Sequence, residues 1–193
     1  MKNILILILI TSTIIADIDI SFQEDAMEFN PKQIVSIEIG GGSIKRVQAD
    51  TISGSSSIDR SMFFGGIKLG SEDIGLRLFL SYRLAEIDSI IAHSFGLELD
   101  SIIDLSTNFA FFYGLNVGAI LYEIVDKNSS SDYTTDATPY YGIEAGLIYK
   151  LSDKHELEFG GRFSVTNLNS ESADKSYIFD QLINYYLAYN FKY

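Results

Sequence analysis

The chain has 193 residues, the length of one ordinary domain, and 47% of them are hydrophobic, enough to fill a sizeable core. Its 26 acidic residues outnumber 14 Lys and Arg, and the net charge of −12 excludes nucleic acid as a natural partner, because phosphates demand a basic surface. The absence of cysteine excludes disulfides and Cys-type metal sites, so hydrogen bonding and packing must hold the fold together.

The N-terminus carries Lys2, an apolar run from Ile4 to Ile15, and then Ala16 before Asp17. That run is shorter than the roughly 20 residues a membrane-spanning helix needs, and its basic, apolar, small-residue order is that of a secretory signal. Residues 1–16 are therefore expected to be a signal peptide cleaved after Ala16. The competing reading is a buried N-terminal strand, since "ILILILI" is also strand-like. Residues 17–32, "DIDISFQEDAMEFNPK", form an acidic segment expected in the periplasm.

From residue 33 onward the hydrophobicity alternates with a period near two, and no stretch of helical period competes. The pattern predicts eight strands, at 33–46, 60–70, 74–84, 89–100, 107–122, 140–150, 156–166 and 181–193. Pro31 and Pro139 fall just before a strand, where a missing amide proton does no harm.

One phase of every strand is apolar, from Val35, Ile37 and Ile39 in the first to Tyr185, Leu187, Tyr189, Phe191 and Tyr193 in the last. The other phase carries Glu38, Lys68, Arg77, Arg83, Glu98, Glu144, Lys150, Glu156, Glu158, Arg162 and Lys192, with many glycines between them. A soluble sandwich would bury the apolar phase. A lipid-facing barrel inverts the arrangement, with an apolar band outside and charges and small residues in a narrow interior. The expected fold is thus all-β, an eight-stranded antiparallel up-and-down transmembrane barrel over residues 33–193.

The connections at 71–73, 101–106 and 151–155 are expected to be short periplasmic turns, and those at 47–59, 123–139 and 167–180 longer outer loops. The outer connection at 85–88 departs from that rule by being short. Facing residues of the sixth and seventh strands should share a face. A register in which their numbers sum to 306 places Glu144 opposite Arg162 and Lys150 opposite Glu156. Glu38, Lys68, Arg77, Glu98, Glu144, Lys150, Glu156, Glu158 and Arg162 are expected to form an interior charge network that plugs the barrel.

The last strand, "YYLAYNFKY", ends on an aromatic residue in strict alternation. The pattern over residues 33–193 resembles the small outer-membrane barrels of Gram-negative bacteria, of the OmpA and OmpX type. The resemblance implies that Leu187, Tyr189, Phe191 and Tyr193 form the signal read by the barrel-assembly machinery. It also implies outer-membrane lipid and lipopolysaccharide as the surroundings. The chain stops at the last strand, so the peptidoglycan-binding domain of full-length OmpA-type proteins is not expected. Tyr82, Phe109, Tyr141 and Tyr149 are read as part of an aromatic girdle at the membrane interfaces.

Catalysis is not expected. His93 and Ser94 are adjacent on one strand and point to opposite faces, and Ser89 lies about 13 Å from His93 along the strand. His93 is read as an interface residue and His155 as a solvated turn residue. "IGGGSI" lies within a strand with no helix after it, unlike a phosphate loop. Asp126, Asp132 and Asp136 in "DKNSSSDYTTDAT" lack calcium-loop spacing. No metal or cofactor is implied. The functional expectation is a monomeric outer-membrane barrel with a structural or surface-interaction role. A small diffusion pore is the alternative, and a lipid A-modifying enzyme is the third reading.

Overall fold

The computed structural model describes residues 31–50, 54–87, 90–124, 133–134, 137–172 and 175–193. The expectations for residues 1–16, for most of 17–32, and for Ser89, Asp126, Asp132 and Asp136 lie outside the described residues.

Eight long strands form one antiparallel sheet: β1 (Lys32–Asp50), β2 (Gly54–Asp73), β3 (Leu76–Ile87), β4 (Ile90–Asp104), β5 (Phe109–Ile124), β7 (Thr138–Lys150), β8 (His155–Ser172) and β9 (Lys175–Lys192). A two-residue strand, β6 (Tyr133–Thr134), adds to the outer end of β5. Each long strand pairs with its neighbours in the chain, and β1 pairs with β9, so the sheet closes on itself. Closure leaves no free edge through the wall, the arrangement that lets strands sit in lipid with every backbone group bonded internally. At the seam, Gln33 and Tyr193 exchange backbone hydrogen bonds of 3.2 and 3.0 Å.

Several strands run beyond their expected ends. β1 and β2 stay paired out to Asp50 and Gly54, and β8 and β9 out to Ser172 and Lys175. These extensions include Ser55, Ser56 and Ser57, where neither phase is apolar. Alternation reports a strand only where one face meets lipid or core, whereas backbone pairing needs no such contrast. β1, β2, β8 and β9 have 19, 20, 18 and 18 residues, against the roughly 9–11 that span a bilayer. Their outer ends therefore stand well above the membrane. β3 has only 12 residues, and its outermost pair with β4 is Ile87–Ile90. The outer rim is consequently tall along β8, β9, β1 and β2 and low at β3 and β4.

On the opposite side, the first turn tightens to Ile74 and Gly75, both with positive φ (48° and 72°), as a two-residue hairpin requires. β4 continues through Ile102 and Ile103 to Asp104, so the second turn is 105–108 rather than 101–106. Pro139 is the second residue of β7 rather than a residue before it, at the strand's outer end.

The two faces differ as the phases predict. Ile39, Phe63, Leu80, Leu115, Ile143 and Tyr185 lie outside and are each about 60% exposed or more. Glu38, Lys68, Arg77, Glu98, Glu158 and Arg162 lie inside and are at most 3% exposed. A continuous apolar exterior of this kind is far larger than water tolerates and suits hydrocarbon.

Candidate functional site

The barrel interior is the candidate site, and its glycines determine what fits there. Gly160, Gly146 and Gly118 sit on the inner face under large rings. A Cβ at Gly160 would come within 2.6 Å of the Tyr186 hydroxyl, one at Gly146 within 2.6 Å of the Phe112 ring, and one at Gly118 within 2.7 Å of the Tyr140 ring. The inner glycines are thus the seats of interior aromatics. Phe64, Phe79, Phe112, Tyr122, Tyr140 and Tyr186 are all buried in the lumen, which is more aromatic than the charge-and-glycine filling the sequence suggests.

Between these rings lies a continuous ionic network. Lys68 Nζ stands 2.9 Å from Glu158, 3.7 Å from Glu98 and 4.0 Å from Glu38. Arg83 donates to both Glu38 and Glu98. Arg162 donates to Glu144 at 3.0 Å and lies 3.5 Å from Glu98 and 3.6 Å from Glu38. Toward the periplasmic mouth, Arg77 reaches Glu158 at 3.0 Å, Glu156 at 2.9 Å and Glu72 at 2.5 Å, and Lys192 joins Glu156 to Glu72. The Tyr186 hydroxyl and the Asn190 amide each donate to Glu158 at 3.0 Å. Lys68 also lies over the Phe79 ring at 4.5 Å and Arg162 over Tyr186 at 4.6 Å. Buried charges persist only when each remaining lone pair and proton finds a partner, and this network supplies most of them from residues on seven strands.

Outward of the charges, the inner positions become apolar. Ile44, Met62, Ala85, Ile87, Ile120 and Leu182 are buried together, and those on β1, β2, β3 and β9 lie nearer the outer hairpins than the network charges Glu38, Lys68, Arg77, Arg83 and Lys192 of the same strands. Between the two zones lies a cavity of about 40 Å³, lined by Phe64, Arg83, Tyr140, Arg162, Ser164 and Asn184 among others. That is room for one or two water molecules. An ion crossing the barrel would have to break these buried salt bridges and then pass the apolar layer.

The structure sorts the sequence expectations individually. β7 and β8 have the predicted register, with Glu144 opposite Arg162 and Lys150 opposite Glu156. Glu144 and Arg162 bond, but Lys150 and Glu156 do not. Lys150 turns outward to Asp104 at 2.5 Å, while Glu156 is held by Arg77 and Lys192. Lys150 sits at the periplasmic rim, where its long stem can reach water, and Arg77 already occupies the inner side of Glu156. Lys150 therefore lies outside the network. Arg83, Lys192, Tyr186 and Asp100 belong inside. Asp100 shares its phase with Glu98 and was legible on that ground, but it falls at the end of the predicted fourth strand.

Outside the wall, the Phe109 and Tyr149 rings pack at 4.9 Å, and Tyr141 and Tyr193 are exposed. Leu187, Tyr189 and Phe191 face outward on β9. Tyr82 bonds His93 at 3.0 Å, and His93 lies 3.9 Å from Glu123. Ser94 instead points inward, where it lines the small cavity. His155 is not a solvated turn residue. It opens β8, bonds the Tyr189 hydroxyl at 2.5 Å and packs on Phe191 at 5.3 Å.

No family model and no curated protein sequence matches the chain. Solved structures do. Neisserial surface protein A is similar with a TM-score of 0.65 at 13% identity, over 85% of this chain and 99% of that one. Outer membrane protein H of P. aeruginosa, solved in micelles, is similar with a TM-score of 0.57 at 19% identity, over 84% and 99%. Outer membrane protein AlkL, solved in lipid bilayers, is similar with a TM-score of 0.52 at 12% identity, over 85% and 90%. At these identities the likeness is one of fold. The chain has the fold of the small eight-stranded transmembrane barrels found in bacterial outer membranes.

Proposed function

We infer that this protein is a resident of the outer membrane of a Gram-negative bacterium, where it acts as a closed structural barrel rather than as a pore. The observation that carries this reading is the filled lumen: an ionic network across the periplasmic and central parts, sealed outward by an apolar layer. Residues 1–16 serve as the export signal, and mass spectrometry of the mature protein is expected to find Asp17 at its start. Leu187, Tyr189, Phe191 and Tyr193 form the outward face presented to the barrel-assembly machinery. The tall hairpins β1–β2 and β8–β9 are the part available for surface contacts, and lipopolysaccharide and phospholipid surround the band. The barrel works as a monomer without an organic cofactor or a catalytic metal.

Planar-bilayer recording tests the closed lumen. The expected trace has no steady conductance, and a persistent open level would establish the pore instead. A non-enzymatic role is supported by the outer-face chemistry: the neighbours of His93 are Tyr82 and Glu123, with Ser94 on the other face. Lipid A incubated with the folded protein is expected to keep its mass.

A further inference from the structure

Among the described residues, six buried carboxylates line the lumen (Glu38, Glu98, Asp100, Glu144, Glu156 and Glu158) against five buried cations (Lys68, Arg77, Arg83, Arg162 and Lys192). Five of the six carboxylates have a cation within 4.0 Å. The one left over is Asp100, which is 1% exposed and whose Oδ1 has no hydrogen-bond partner. Glu72, at the periplasmic mouth, adds a further carboxylate, but it is one-fifth exposed and shares Arg77 and Lys192.

Register shows where the surplus lies. Asp100 on β4 and Glu144 on β7 are both opposite Gly114 on β5, which separates them and contributes no side chain. The Asp100 Oδ1 occupies the space that a Cβ on Gly114 would fill, so it leans over that strand toward Glu144. Glu144 directs Oε2 to Arg162 and leaves Oε1 unpartnered. Two strand spacings separate the backbones by about 9.6 Å, and both side chains reach into that span. The other charges acting on the pair are Glu158, Glu98 and Lys68 on Asp100, and Arg162, Glu98, Lys68 and Arg83 on Glu144, with the Tyr186 hydroxyl 3.5 Å from Glu144 Oε2.

We propose that Asp100 and Glu144 form a site inside the barrel for one exchangeable positive charge, a proton or an alkali-metal ion, held between Asp100 Oδ1 and Glu144 Oε1. The physical reason is that a lone ionised carboxylate is strongly disfavoured in a dry interior, and neighbouring carboxylates make it more so. Among the described residues no group of three or more His, Asp or Glu is placed to hold a metal ion, which argues for a single charge over a divalent cation with its larger ligand set. The inference rests on the closed lumen, since in a wet pore water would hydrate both carboxylates.

The test is thermal unfolding of the folded full chain in lipid vesicles, followed by the heat-dependent shift in electrophoretic mobility, for wild type, Asp100→Asn and Glu158→Gln. Asp100→Asn removes the surplus charge and is expected to unfold at or above the wild-type temperature, whereas Glu158→Gln unfolds well below it. If the site holds a proton, the wild-type midpoint falls by about 3 °C or more between pH 5 and pH 9 in choline chloride, and Asp100→Asn flattens that dependence. If it holds an alkali ion, the wild-type midpoint at pH 9 rises when sodium or potassium replaces choline at equal ionic strength, again only with Asp100 present. The proposal is overturned if Asp100→Asn is as damaging as Glu158→Gln or does not fold, or if neither dependence differs between wild type and Asp100→Asn. Steady conductance would overturn the closed-lumen reading separately, whatever the unfolding data show.

Discussion

Ile74 carries a φ of 48° in the first periplasmic turn, a conformation that crowds a β-branched side chain and that Asn accepts readily. Ile74→Asn is expected to stabilise the barrel by about 1 kcal/mol, read as a higher urea midpoint for unfolding from vesicles. The interior offers the opposite case. Glu158 accepts from Lys68, Arg77, Tyr186 and Asn190 together, so Glu158→Gln leaves two buried cations short of a partner. Removing one member of a buried pair costs about 3–5 kcal/mol. Glu72→Gln at the half-open mouth is expected to cost less, about 1 kcal/mol. Equal losses from the two variants would mean that water reaches both sites alike.

At the scale of the strand, the seats matter more than the residues that occupy them. Gly160 lies on β8 beneath Tyr186 of β9, and Gly160→Ala forces that ring off the hydrogen bond it makes to Glu158. About 2 kcal/mol is expected to be lost, with the Tyr186→Phe and Gly160→Ala effects falling short of additive in a double-mutant cycle. The orientation of the faces has its own test. Leu80, 59% exposed near the middle of β3, faces hydrocarbon, so Leu80→Arg should cost about 2–4 kcal/mol in a bilayer. On a water-facing surface the same change would cost close to nothing, so an unaltered unfolding midpoint would reverse the inside and outside of the barrel. Strand identity and facing were legible from the sequence because alternation is a local property: Glu38, Lys68 and Glu98 declare their side by parity alone. The outer ends of β1, β2, β8 and β9 were not legible, since stretches such as Ser55, Ser56 and Ser57 carry no apolar phase to follow.

For the whole molecule, the interior layers act in series. The ionic layer is held by pairs such as Lys68 with Glu158, 90 residues apart in the chain, and the apolar layer by Met62, Ile87, Ile120 and Leu182. Opening one layer leaves the other closed. A variant that shortens only the apolar layer, such as Met62→Ala with Leu182→Ala, is therefore expected to remain non-conducting in planar bilayers. The uneven rim belongs to this scale as well, because it follows from strand lengths that differ around the barrel, 20 residues in β2 against 12 in β3.

The sequence by itself determined which side of each strand meets lipid, the antiparallel order, and even the register that sets Glu144 against Arg162, because those follow from parity and from connections between successive strands. Only the tertiary structure decided which charges pair. Closing the sheet brings side chains from opposite walls to within 3 Å, and the choice among several nearby carboxylates then depends on reach and on which ring fills which glycine seat. Lys150 illustrates the difference: it has the right parity and a facing Glu156, yet it turns outward to Asp104 because water at the rim is closer than the buried network. Asp100 illustrates it from the other side. Parity sets it inside, but only the closed barrel leaves it without a cation.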